Sequence, residues 1–171
     1  MTSKELMERR NRVLPKAMYT TSTLNAVSAK GAVFYDAERK EYIDFSGGIG
    51  VLNAGHCPTP VSRAIAKQAQ TLMHTFFNVL THEPYVLLAE KLVEILPHGD
   101  ATKVMFVSTG AEAVENAVKI ARQATGRQGI ICYTGGFHGR TLMGMSLTSK
   151  TSYKTGCGPF APEVYRLPFP D

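Results

Sequence analysis

The passage from Lys103 to Tyr133 constrains this chain most: an apolar run turns within a few residues into a capped helix, then into a second apolar run. Lys103–Val107 reads as a short buried strand. Ser108-Thr109-Gly110 is too small and polar to continue it. Thr109 followed three residues later by Glu112 is the capping-box pattern, a hydroxyl that accepts from the first turn and a carboxylate that reaches back. The helix expected over Ala111–Thr125 places Val114, Ala117, Val118 and Ala121 on one face, the spacing that packs a helix onto a sheet. Gly126 is its expected C-cap, and Gly129–Tyr133 reads as a second strand. Strand, helix, strand at this spacing is a βαβ unit and predicts an α/β fold with a parallel sheet covered by helices.

The chain before this unit has another style. Residues 3–12 read as a short polar helix stopped near Pro15, and residues 17–30 give no clear period. Ala32–Asp36 and Glu41–Phe45 flank a polar turn and predict an antiparallel hairpin. Ser46-Gly47-Gly48-Ile49-Gly50 is too rich in glycine for a regular element and reads as a loop with unusual backbone dihedrals. Thr59-Pro60 supplies an N-cap and an N1 proline for a helix running to about Met73. Glu83-Pro84 opens another, whose Val86, Leu88, Ala89, Leu92, Val93 and Leu96 predict a broad buried stripe closed by Pro97 and Gly99. The expected organisation is a small region over 1–55, a linking helix over 56–80 and an α/β region over 81–171. Two or three strands make an incomplete sheet with exposed edges, so the α/β region reads as part of a larger domain.

Composition excludes several function classes. The net charge of +5 is spread from Lys4 to Arg166, and the cluster Arg9, Arg10, Arg12 follows Glu5 and Glu8, so a solvated helix face is expected rather than a nucleic-acid site. Cys57, Cys132 and Cys157 are an odd number without zinc-ligand spacing, which fits a reduced cytoplasmic protein without a metal site. No run approaches the ~20 apolar residues of a membrane helix, and no membrane partner is expected.

Two loops are candidates for ligand binding. Free backbone N–H groups at Gly110 and Ala111, at the N-terminus of a helix that leaves the carboxyl edge of a sheet, suit a phosphate. A capped helix after a strand is also a common structural device. The motif is neither a Walker loop nor the dinucleotide fingerprint, which disfavours a Rossmann-type nucleotide binder. The second loop, Thr134-Gly135-Gly136-Phe137-His138-Gly139-Arg140-Thr141, emerges at the same edge. Phe137 can stack on a planar cofactor, and Arg140 carries the fork that grips a carboxylate. A lone loop histidine such as His138 is more often structural.

The segments Thr109–Arg122 and Gly135–Thr141, together with Asp44–His56 upstream, closely resemble the class-III group of pyridoxal-phosphate aminotransferases. Within it the 4-aminobutyrate aminotransferases fit best, through Gly48-Ile49, Val51-Leu52-Asn53 and Glu83-Pro84-Tyr85. The resemblance covers most of residues 30–171. It implies the N-terminal part of a fold-type-I pyridoxal 5'-phosphate (PLP) transferase: a small α+β region, a long linking helix and the start of the parallel-sheet cofactor domain. It implies that Gly110 and Ala111 hold the cofactor phosphate, that Phe137 lies on the pyridine ring with His138 beside it, that Arg140 binds the remote carboxylate, and that Ile49 walls the substrate pocket. It further implies a homodimer, 2-oxoglutarate as amino acceptor and 4-aminobutyrate or a similar ω-amino acid as donor. Ornithine, acetylornithine and diamine aminotransferases are the neighbouring alternatives, and a non-catalytic dimerising piece is the alternative of another class.

The same resemblance places the Schiff-base lysine and the carboxylate on the pyridine nitrogen downstream of this sequence. Lys150 and Lys154 follow the Arg140 loop too closely to match that lysine. The 171-residue chain is therefore expected not to transaminate alone. Mixed with PLP near neutral pH and treated with borohydride, it should retain no reduced cofactor at a specific lysine; mass spectrometry showing stoichiometric labelling of one lysine would contradict this.

Overall fold

The computed structural model describes residues 1–99 and 101–170. The chain divides into two compact units, Met1–Thr81 and His82–Asp171. No helix among the described residues is long and apolar enough to cross a membrane.

The first unit opens with α1 (Ser3–Val13), where Thr2 and Glu5 form a capping box. Strands β1 (Ala26–Lys30), β2 (Val33–Asp36) and β3 (Glu41–Ile43) make an antiparallel meander in that order. β1 lies in the stretch where no period was expected. Its side chains are nearly all exposed, so the sequence carries no alternation there, and a bulge between Ala26 and Ser28 breaks what alternation remains. The expected hairpin forms over slightly shorter strands, with Phe34 stacked on Tyr42 at 5.1 Å. Its turn is organised by the buried Asp36 carboxylate, which accepts from the N–H of Glu38 (3.0 Å), the N–H of Lys40 (2.9 Å) and the Tyr42 hydroxyl (2.8 Å). Burial alone would raise the pKa of this carboxyl, but these donors outweigh it and hold the pKa below its ordinary value.

The glycine-rich run after β3 contains one helical turn, α2 (Gly47–Gly50), in which Gly48 (φ 62°) and Ile49 (φ 58°) are left-handed. Helix α3 (Thr59–Thr71) starts one residue earlier than expected: Pro58 is the N-cap, and Thr59 is the first helical residue without a side-chain cap.

In the second unit, α4 (Glu83–Ile95) opens with the expected proline, yet its stripe is not buried within this chain; Val86 and Leu88 are among the exposed apolar residues. The strand expected over Lys103–Val107 is a second correction. That segment pairs with no strand among the described residues, because a strand requires a neighbour to complete its hydrogen bonds. The Phe106 N–H instead donates to the Tyr85 hydroxyl at 3.0 Å. The parallel pair lies elsewhere, between β4 (Ile130–Tyr133) and β5 (Val164–Leu167), from Ile130 opposite Val164 to Tyr133 opposite Leu167. A groove of about 620 Å³ is lined by every residue from Ile130 to Gly136. Side chains on one face of a strand alternate, so an unbroken lining marks the edge of β4 rather than a face.

Helix α5 (Gly110–Thr125) has its capping box and its left-handed Gly126 C-cap as expected. The core joins it to the sheet: Val118, Cys132 and Leu147 are buried, with Val114, Ile130, Met143 and Val164 packed against them. Leu147 comes from α6 (Leu142–Leu147), a short helix that was not expected and is buried from Gly144 to Leu147. The Arg166 guanidinium covers the end of α6, donating to the carbonyls of Leu147 (3.0 Å), Ser146 (3.1 Å) and Thr148 (3.2 Å). Three of the orphan carbonyls of a helix end are thereby satisfied by one side chain.

Gly144 sits where a Cβ would lie 2.9 Å from both the His138 carbonyl oxygen and the Thr141 hydroxyl. Gly144→Ala is expected to cost about 1–3 kcal/mol through overpacking, read as a lower urea midpoint; an unchanged midpoint would refute this packing.

Candidate functional site

The first candidate element is the start of α5. Thr109 adopts an extended conformation and accepts the Glu112 N–H at 3.1 Å, while the Glu112 carboxylate accepts the Thr109 N–H at 2.8 Å. The Ala113 N–H donates to the Thr109 carbonyl at 3.1 Å. The cap thus uses the donors of Glu112 and Ala113 and leaves those of Gly110 and Ala111 for a ligand. An added Cβ at Gly110 would meet nothing within 4 Å, so the approach is open.

The second element is the loop between β4 and α6. Its geometry depends on Thr148, which is fully buried. The Thr148 hydroxyl accepts the His138 N–H at 2.9 Å and lies 2.8 Å from the Gly144 carbonyl and 3.2 Å from that of Gly139. The Ser149 N–H donates to the Gly136 carbonyl at 2.8 Å. Both ends of the loop are therefore tied to the chain just after α6.

A close approach brings the two elements together. At Gly139, with φ 115°, an added Cβ would lie 2.8 Å from Ala111 Cβ. The loop backbone thus rests against the first turn of α5, and glycine is required there on steric and conformational grounds together. Phe137 stands on the same loop, 58% exposed, and its ring meets Tyr153 edge-on at 5.7 Å. The half-buried His138 turns its ring back, with Nε2 2.8 Å from where a Gly136 Cβ would sit. The exposed Arg140 places its guanidinium 5.3 Å from the centre of the Tyr153 ring. Gly110, Ala111, Phe137, His138 and Arg140 all belong to the second unit.

Ile49 belongs to the first unit and is 94% exposed. A left-handed β-branched residue is strained, and it persists where its surroundings fix it. Here the anchor is Asp44. One of its oxygens accepts from the Ser46 hydroxyl (2.6 Å), the Ser46 N–H (2.9 Å) and the Gly47 N–H (3.0 Å), and the other meets His56 Nε2 at 2.8 Å. His56 is held in turn by paired backbone bonds with Gly31, 2.8 and 2.9 Å long. Gly55 has no room for a side chain, since a Cβ would lie 2.9 Å from the Gly31 carbonyl oxygen. The single residues Thr148, Tyr153 and Arg166 carried no motif in the sequence; Asp44 and His56 stood within one, and their pairing is a contact across the loop.

Comparison with known proteins gives this arrangement its family. Residues 16–171 match the family model described as aminotransferase class-III. The chain belongs to the class-III aminotransferases. It is 48% identical to a probable 4-aminobutyrate aminotransferase of Bacillus subtilis over 99% of its own length and 39% of that protein's. It is 45% identical to the 5-aminovalerate aminotransferase DavT of Pseudomonas putida, covering 99% of this chain and 40% of the relative. The chain therefore spans about two fifths of the relatives it matches. Among solved structures it is similar to a Bacillus anthracis aminotransferase, with a TM-score of 0.88 and 30% identity over 99% of this chain and 39% of that one. The ornithine aminotransferase of Toxoplasma gondii shares the fold, with a TM-score of 0.89 at 24% identity, over 99% of this chain and 41% of that one. The N-terminal portion of a fold-type-I PLP transferase, expected from the sequence, is the fold found.

The Asp44 anchor has a pH signature. The Ser46 hydroxyl first, then His56 and the two backbone donors, hold this carboxyl down to about 2 from an ordinary 3.8, against an opposing effect of burial. A carboxyl depressed on folding stabilises above its unfolded value and loses that contribution as pH falls from 3.8 through about 2. In an acid titration followed by NMR, the Ser46 and Gly47 amide signals should shift with a midpoint near 2. A midpoint at the ordinary value would show that the anchor is not formed.

Proposed function

We propose that this chain is the cofactor-phosphate and carboxylate-binding portion of a PLP-dependent aminotransferase acting on an ω-amino acid. The observation that carries the reading is the contact of Gly139 with Ala111. It sets the unused donors of Gly110 and Ala111 beside the loop that bears Phe137, His138 and Arg140. A phosphate monoester fits the open first turn of α5, where two N–H groups and the helix dipole act on one anion. Phe137, exposed on that loop, is suited to cover an aromatic ring. When bound, PLP supplies the electron sink that makes an amino group transferable.

The chain's own residues bind and orient. Gly110 and Ala111 hold the phosphate, Phe137 limits the face of the ring open to water, and His138 closes the loop beside it. Arg140 grips the carboxylate remote from the reacting amine; Ile49, exposed in the first unit, is read as an apolar wall of a substrate pocket. The favoured donors are 4-aminobutyrate and 5-aminovalerate, supported by the names of the relatives at 48% and 45% identity, with 2-oxoglutarate as the acceptor. A homodimer is part of the same reading, supported by the exposed stripe of α4.

Proline at the first helical position removes one N–H and leaves the helix intact. Gly110→Pro is expected to weaken PLP binding by about tenfold or more, the value of one charge-assisted hydrogen bond, with unchanged circular dichroism. Titration with PLP and with pyridoxal, which lacks the phosphate, checks this: equal affinity of the variant and the parent chain for PLP would sink the phosphate assignment. The donor is decided by assaying the full in-frame gene product with 4-aminobutyrate, 5-aminovalerate and ornithine; a preference for ornithine would overturn the assignment of 4-aminobutyrate and 5-aminovalerate as donors.

A further inference from the structure

Among the described residues of the second unit, Arg140, Lys150 and Lys154 form no ion pair. From Asn116 to Pro162 the sequence has no acidic residue, yet this stretch carries Arg140, Lys150 and Lys154 just after β4. The ion pairs among the described residues are His56 with Asp44 and Lys91 with Glu94, and neither involves these cations. In place of a carboxylate, two of them share one ring. Arg140 Cζ lies 5.3 Å from the centre of Tyr153, and Lys150 Nζ lies 5.2 Å from it. Phe137 meets the same ring edge-on, with an interplanar angle of 72°. Tyr153 itself stands on a 3-10 turn, Thr151–Tyr153.

We propose that Tyr153 is a positioning residue, holding Arg140 and Lys150 as a two-cation grip for the carboxylate of a small organic acid. The proposal deepens the reading of Arg140 as the carboxylate ligand and rests on it. A long cationic side chain on a loop loses rotamer freedom when it binds. A ring that already holds the guanidinium reduces that loss, through the attraction between a cation and the ring's negative face. Lys150 adds a compact second charge beside the planar fork. Both like charges are held at one ring, and an anion that reaches both reduces their mutual repulsion. The Phe137 edge contact fixes the plane of Tyr153, so the ring proposed to cover the cofactor and the platform for the cations are held as one assembly.

The test uses the whole 171-residue chain, labelled with nitrogen-15, with glutarate and inorganic phosphate as separate probes. In the ligand-free chain, the Arg140 side-chain protons should show upfield ring-current shifts that vanish in Tyr153→Leu and return in Tyr153→Phe. The glutarate dissociation constant should rise about three- to fivefold in Tyr153→Leu, the value of an exposed cation–ring contact, and recover in Tyr153→Phe. Lys150→Gln should weaken glutarate to a similar degree and flatten its salt dependence. Amide spectra of each variant report whether the fold is kept. Loss of glutarate binding in Arg140→Gln with no change in Tyr153→Leu overturns the positioning role and leaves the Arg140 reading standing. Unchanged glutarate binding in Arg140→Gln overturns both. Phosphate bound as tightly as glutarate, and weakened equally by the same variants, overturns the carboxylate assignment in favour of a general anion site.

Discussion

The buried hydroxyl of Thr148 joins the glycine loop after β4 to the end of α6. It accepts the His138 N–H and reaches two carbonyls, one in the glycine loop and one in α6. A buried polar group left without partners costs on the order of 1–3 kcal/mol, so the His138 N–H and the Thr148 hydroxyl favour this arrangement in the interior. Because the loop is tied down there, Gly139 is pressed against Ala111, and Gly144 is pressed against the loop from the other side. The contact between the first turn of α5 and the Phe137–Arg140 loop follows from that tie. Leu147, on the residue before, anchors the same segment in the core with Val118 and Cys132.

The first unit solves a similar problem with charge rather than a hydroxyl. Its loop after β3 holds Ile49 in a left-handed conformation, which costs roughly 1–3 kcal/mol for a residue of this kind. The Asp44 carboxylate gathers the donors that keep the loop in place, and the Gly31–His56 backbone pair closes it. Asp36 does the same for the hairpin turn, accepting three hydrogen bonds. In each case a carboxylate replaces the ladder partners that an irregular backbone lacks. An exposed apolar side chain on a rigid, strained loop is a contact surface whose shape is fixed before any ligand arrives.

What was legible in the sequence is what depends on neighbours close along the chain. The Thr109/Glu112 capping box, the Gly126 C-cap and the proline start of α4 are decided within a few residues, and each lies where expected. The run Gly47–Gly50 announced unusual dihedrals because glycine is the residue that tolerates them. Contacts that close across the chain were not legible. β5 pairs with β4 over more than thirty residues, and α6 is helical because it is buried, since its Gly144 and Ser146 are poor helix formers. The strand expected at Lys103–Val107 failed for the complementary reason: apolar content marks a segment fit for a sheet but does not supply the neighbour. For the site, Gly110, Ala111, Phe137 and Arg140 stood in motifs, whereas Thr148, Tyr153 and Arg166 act through contacts that no local pattern records.

The patterns that this chain leaves unused are informative in the same way. The α4 stripe has helical spacing yet no buried residue, and the edge of β4 lines an apolar groove. A hydrophobic period is a record of what a segment is built to pack against, so these surfaces describe contacts that the described residues do not provide. The match to about two fifths of the relatives' length agrees with this. The polar side of the site behaves differently. Its loop ties, its cap and its close glycine contacts all lie within the second unit. The geometry of the candidate site thus rests on polar contacts, whereas the α4 stripe and the β4 edge are apolar surfaces left open.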